Sequence, residues 1–280
     1  MPGEHVSSVS SRRLGRELRG LREAREISCD RAAAELGRAP IWLVEIESGH
    51  ERITVAELRG LLDLYAVTDE GTRDHLTDLA HRCGGPAWLK RHTGWLSELE
   101  RDFIILESEA TNVRAYGIGL IPDLQRTEAY ARATYSAALL PGDTVTVEQR
   151  LDLLLSRQRH QTDGEPRRSH VVLDESAISH PIGGAQTMLG QLRHLAEHAR
   201  QDHAVVQLIP REVGAHPGLD GSFHILDFSV PAEPSVSISQ SALGPLLSYV
   251  PLDDHFQMIA DVALSPADSL FLIEQAIGEF

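Results

Sequence analysis

The stretch H194-L-A-E-H198 has the residue types and spacing of a zinc-hydrolase helix. Two histidines four apart could grip a metal from one helical turn, with Glu197 placed as the base. Glu274, further along the chain, is a candidate third ligand. The helical periodicity argues the other way. Met188, Leu189, Leu192, Leu195, Ala196 and Ala199 form one apolar face. His194, Glu197 and His198 fall opposite it, where a helix packed on a sheet meets water. A catalytic zinc needs a dry, shaped site with supporting groups behind its ligands. The chain also has no G-x-S-x-G, no P-loop and no G-x-G-x-x-G between a strand and a helix. The expectation is a protein without metal or cofactor that is not an enzyme.

A second stretch, R38-A-P-I-W-L-V-E-I-E-S-G49, has the frame of a DNA-reading helix. Pro40 suits its first turn, Leu43 and Ile46 are spaced to face a core, and Gly49 closes it. The exposed start offers Ala39, Pro40, Ile41, Trp42 and Glu45. Ile41 or Trp42 could touch thymine methyls, and Glu45 could accept from a cytosine amino group. Arg31, Arg38 and Arg52 are candidates for phosphate, and Ser28 and Cys29 at the start of the helix before this one are candidate DNA contacts as well. Trp42 has a second reading as a packing residue against a neighbouring helix.

The elements around this helix form a bundle over residues 12–83. In R12-R-L-G-R-E-L-R-G-L-R-E-A-R25, Leu14, Leu18 and Leu21 make an apolar stripe with arginines around it. Ser28 is placed to cap a second helix that Gly37 ends. T54-V-A-E57 reads as a capping box opening a fourth helix with Leu58, Leu61, Leu62 and Tyr65 inward. A fifth helix spans about 69–83. Two short helices either side of a tight Gly37 turn make a helix-turn-helix arrangement.

After Gly84-Gly85-Pro86 the texture changes, and residues 86–280 read as an α+β domain. One helix is expected over 88–110, others over 123–135, 147–159 and 184–200, and two at the end. Short apolar runs at 170–174, 204–209, 223–228 and 235–239 read as strands. Arg126, Glu128 and Arg132 are expected to form a charged helical face. A215-H-P-G-L-D-G221 is a turn-rich loop. Turn geometry accounts for Gly218, Gly221 and Asp220, while a partner or ligand loop would use His216, Gly218 and Asp220.

The fold class expected is an N-terminal all-α helix-turn-helix bundle followed by an α+β domain, with residues 1–11 a disordered tail. The net charge is −15, which argues against indiscriminate coating of DNA. Residues 12–25 nevertheless carry six arginines against two glutamates. The two cysteines, Cys29 and Cys83, fit a reducing compartment. No long apolar run or signal-peptide core is present, so a cytoplasmic, nucleoid-associated protein away from the membrane is expected.

Three blocks, S28-x4-A33-x2-L36-G37, L43-x2-I46-E47-S48-G49 and L58-R-x-L61-L-D-L-Y65, occur in order. They resemble the phage-repressor-like (XRE) helix-turn-helix family. That resemblance implies dimeric binding to double-stranded operator DNA, with the third helix in the major groove. The family usually has a phosphate-touching Gln at the start of the second helix, where Cys29 stands here. In the second domain N112-V-R-A-Y116, L120-I-P-D-L-Q-R-T-E-A-Y-A-R132, V172-L-D-E-S-A, P181-I-G-G, V206-Q-L-I-P210 and G214-A-H-P-G-L-D-G-S-F223 also occur in order. These resemble the C-terminal domain of an actinobacterial family of toxin–antitoxin-like regulators. The resemblance implies transcriptional regulation and a small partner protein encoded nearby. Residues Gln240 to Pro245 depart from that family's acidic and glycine pattern. The alternative left open is an antitoxin-like interaction module whose third helix no longer reads DNA.

Overall fold

The computed structural model describes residues 8–162, 167–229, 233–241, 244–248 and 251–280. The chain divides into two compact units, the first ending at Glu109 and the second spanning Ala110–Phe280. The boundary read from sequence at 83–86 therefore shifts. The reason is a second helix beyond it, which closes on the bundle.

The first unit holds α1 (Val9–Ala24), α2 (Cys29–Glu35), α3 (Pro40–Ser48), α4 (Val55–Leu64), α5 (Glu70–Arg82) and α6 (Glu98–Glu109). Helix α1 starts inside the stretch 1–11 read as a tail, and residues 1–7 lie outside those described. Ser8 caps it by accepting from the Ser11 N–H. The Glu109 carboxylate then takes the Val9 and Ser10 N–H groups at 2.8 and 3.1 Å. A carboxylate here meets the positive end of the α1 dipole. The helix expected over 88–110 is split. Ala87–Arg91 is a 3-10 turn, and Ser97 and Glu100 form their own capping box to start α6 afresh.

Leu14 and Leu18 on α1, Leu43 and Ile46 on α3, and Leu58, Leu61, Leu62 and Tyr65 around α4 share one core. The expected Thr54–Glu57 capping box is present with both of its hydrogen bonds. Gly49 ends α3 in the left-handed region at φ 81°. Helix α1 crosses the end of α3 very closely. A Cβ added at Gly15 would lie 2.5 Å from the Glu47 carbonyl oxygen, and one at Gly49 would lie 2.9 Å from the Arg12 Cα.

The second unit is α+β, as expected. Its six-stranded sheet has the order β3-β2-β1-β4-β5-β6, made of β1 (Asn112–Gly117), β2 (Arg168–Asp174), β3 (Ala204–Ile209), β4 (Phe223–Asp227), β5 (Val236–Ser241) and β6 (Gly244–Ser248). Strands β1, β2 and β3 are parallel, and the remaining pairs antiparallel. The helices are α7 (Glu128–Ala138), α8 (Val147–Thr162), α9 (Ser176–Ser179), α10 (Ala185–Ala199), α11 (Asp253–Val262) and α12 (Pro266–Glu279). Met188, Leu192 and Leu195 of α10 and Ile273 of α12 pack on Val171, Leu173, Val206 and Leu208 from one sheet face. Phe256 and Ile259 of α11 pack on Tyr116, Val172 and Ile225 from the other. The side chains of Gln240 to Pro245 lie outside the described residues. No single described helix is long and apolar enough to cross a membrane.

The crossing of α1 on α3 yields a prediction with a built-in control. Gly15→Ala pushes a methyl into the α3 backbone and should destabilise the first unit by about 1–3 kcal/mol. Gly20, on the same helix, has no atom within 4 Å of an added Cβ. Gly20→Ala should instead stabilise by about 0.5–1 kcal/mol through helix propensity. Urea midpoints followed by tryptophan fluorescence check both, because Trp42, Trp88 and Trp95 all lie in the first unit.

Candidate nucleic-acid interface

Two things fix the third helix on the bundle. Leu43 and Ile46 anchor its inner face in the core. At its far end Glu47 takes a two-pronged ion pair from Arg22 of α1, Nε–Oε1 at 2.6 Å and Nη2–Oε2 at 2.8 Å. Arg22 also donates to the Ile27 carbonyl at 2.8 Å, which ties the α1–α2 turn into the same knot. Both side chains are almost fully buried. A charge pair this enclosed holds only when its hydrogen bonds are complete, as they are here.

With that face down, the outward positions follow from the helical period. Ile41 is 61% exposed and Val44 is 45% exposed. They are three apart, so they share one side of α3. Pro40 and Ala39 are exposed at its start, where no side chain caps the helix. Glu45 is half-buried, and its carbonyl accepts from the N–H groups of His50 and Glu51. The Ser48 hydroxyl donates to that same carbonyl and meets His50 Nδ1 at 2.9 Å.

Several residues read from sequence as DNA contacts are engaged internally. Trp42 is half-buried and packs against the bundle core, as its packing reading expects. Arg38 sits over the Trp42 ring at 5.7 Å and is held by Glu57 at 2.5 and 3.0 Å. Sequence placed Arg38 on phosphate; here its guanidinium is half exposed and paired with the capping-box carboxylate. Cys29 also turns inward, with its Sγ 4.0 Å from Glu47 Oε2. Burial and then the Glu47 charge push its thiol pKa up. Ser28 spends its hydroxyl oxygen on the Arg31 N–H as the α2 cap. The guanidinium groups of Arg31 and Arg52 remain exposed and make no hydrogen bond or ion pair among the described residues.

The basic stretch 12–25 is largely consumed as well. Arg13 pairs with Glu17, Arg19 with Glu23 and Arg22 with Glu47, while Arg25 donates to the Ala66 carbonyl. Val44 is the residue that sequence reading missed on this face. Its spacing from Ile41 was the available signal.

In the second unit the loop 214–222 is built by turn geometry, with a 3-10 turn at Pro217–Asp220 and Gly221 at φ 133°. The His216 side chain is 2% exposed. Its Nδ1 accepts from the Gly218 N–H at 3.2 Å, and its Nε2 lies 3.4 Å from Asp174 Oδ2. Gly218 is buried against Tyr116, where an added Cβ would come within 2.4 Å of the ring. His216 and Gly218 are thus internal fastenings at the carboxyl ends of β1 and β2, unsuited to direct partner contact. Asp220 is exposed, beside an exposed Leu219. The charged face expected at Arg126, Glu128 and Arg132 is also redrawn. Arg132 does pair with Glu128, but Arg126 turns in to Asp123 and the Ile121 carbonyl. Burial alone would raise the Asp123 carboxyl; Arg126 and Arg157 overcome it and hold the group well below the usual range. Glu274 pairs with Arg200, and His198 with Ser169.

Two family models match this chain. Residues 13–76 match a helix-turn-helix domain, over the bundle just described. Residues 100–275 match a domain of unknown function, DUF5753. The chain belongs to the DUF5753 family. No curated protein and no solved structure matches it. The first match runs from within α1 to within α5 and so includes the α2–α3 pair with its outward Ile41 and Val44. The second covers the whole sheet.

The inward turn of Cys29 is open to a direct check. Its raised thiol pKa predicts alkylation by iodoacetamide slower at pH 8 than that of an unstructured cysteine peptide. The rate should go on rising above pH 9, because the thiolate is the nucleophile. Site-resolved mass spectrometry reads the two rates.

Proposed function

We propose that this protein is a sequence-specific DNA-binding transcriptional regulator that docks α3 in the major groove of a double-stranded operator. The observation that carries it is the helix-turn-helix match over 13–76 together with an outward α3 flanked by uncommitted cations. Arg31, on the helix before α3, and Arg52, four residues beyond its end, are free to meet phosphate. Few such cations on a chain of net charge −15 suit a protein that binds at chosen sites more than one that coats DNA.

The finer reading extends this to a homodimer acting on paired half-sites in the cytoplasm. A two-fold reader doubles a short contact into an operator-length one. The DUF5753 unit is read as the sensing part, responding to a small partner protein or a ligand. Its exposed Leu219 and Asp220 are the residues of the 214–222 loop that such a partner could reach.

The test is fluorescence anisotropy with the duplex upstream of the protein's own gene and a random duplex, at several salt concentrations. The wild type should prefer the upstream duplex and lose affinity as salt rises. Arg31→Ala and Arg52→Ala should each weaken binding to both duplexes and reduce the salt slope by about 0.9, the signature of one lost phosphate contact. Unchanged slopes in both variants would remove α2 and the α3–α4 turn from the interface.

A further inference from the structure

We infer that α3 reads thymine methyl groups, through Ile41 and Val44, and that its preferred half-site is defined by thymines in the major groove. This rests on the DNA-binding reading above and says what the helix recognises. The argument is one of available chemistry. Purines are distinguished in the major groove by two-pronged donors, Arg or Lys to guanine and Asn or Gln to adenine. No residue of Pro40–Ser48 is an Arg, Lys, Asn or Gln.

The nearest cation, Arg38, is tied to Glu57 and laid over Trp42. The Ser48 hydroxyl donates to the Glu45 carbonyl. Trp42 is half-buried against the bundle core, with Arg38 over its ring. What the outer face offers a base edge is two branched apolar side chains, with the acceptor-only carboxylate of Glu45 beside them.

An exposed Ile41 and Val44 also carry a cost in water, since each leaves apolar surface uncovered. Covering them against thymine methyls recovers it, and the gain differs between thymine and every other base. Occupancy by a duplex, as against another apolar partner, is favoured by the unpaired Arg31 and Arg52 on the flanking elements. Positive charge there complements phosphate. Because Ile41 and Val44 lie outside the core, replacing them leaves the fold intact.

The experiment starts with selection from a randomised duplex library by the full chain. The recovered duplex is then remade with deoxyuridine in place of thymine, one position at a time. That exchange removes only the C5 methyl and keeps every hydrogen-bonding group. At one or more thymines the wild type should lose about fourfold in affinity, the value of one buried methyl. The Ile41→Ala or Val44→Ala protein should show no further loss at the thymine its missing side chain contacts. Circular dichroism of the variants confirms that they fold. A selected sequence in which every deoxyuridine exchange is neutral would overturn methyl reading while leaving DNA binding in place. Failure to select any sequence would overturn both readings.

Discussion

One buried ion pair decides what the rest of the first unit can present. Arg22 and Glu47 are almost fully enclosed, joined at two points, and the arginine also holds the Ile27 carbonyl. Enclosing two charges is expensive unless each finds its partners, and a lone survivor is far worse than the pair. Glu47 therefore has one acceptable position, and it sets the roll of α3 about its own axis. Once Glu47, Leu43 and Ile46 face inward, Ile41 and Val44 must face out. The close crossing at Gly15 and Gly49 brings the α3 backbone near enough for this geometry. Glu109, at the far end of α6, holds the start of the same α1 helix. What α3 presents outward thus depends on residues buried behind it.

The second unit shows the same economy of polar groups. Loop 214–222 is fastened by His216 to Asp174 and by Gly218 to Tyr116. Burial and the Asp174 charge keep the Tyr116 phenol protonated, its pKa pushed up from the ordinary value. Asp123 is locked between Arg126 and Arg157, which pins the segment leading into α7. The outward part of the loop, Leu219 and Asp220, is left exposed.

Much of this was legible in the sequence, because caps and periodicity are local. The Thr54–Glu57 box, the Ser28 cap and the Gly49 stop each act within a few residues and stand where expected. Strands β2 and β3 were legible as short apolar runs, whereas β1, which lies parallel beside β2, was not read as a strand. Long-range pairings were not. Arg22 and Glu47 are 25 residues apart, and in sequence Arg22 was one basic residue among six. Arg38 looked free for phosphate because its partner Glu57 already had a role in the capping box. Trp42 and Val44 exchanged places for a similar reason. An indole is the more suggestive residue, but the roll of the helix sends valine outward. The 88–110 stretch reads as one helix by composition, and only the Ser97–Glu100 box marks where it restarts.

The direct test of this account is a double-mutant cycle on Arg22→Met and Glu47→Leu, with urea unfolding followed by tryptophan fluorescence. Each single change strands a buried charge and should cost about 3–5 kcal/mol. The double change removes both charges and should cost far less than the sum, a coupling of about 2 kcal/mol or more. Additive losses would contradict the account, since they would mean that the two side chains are not holding each other and that something else sets the roll of α3.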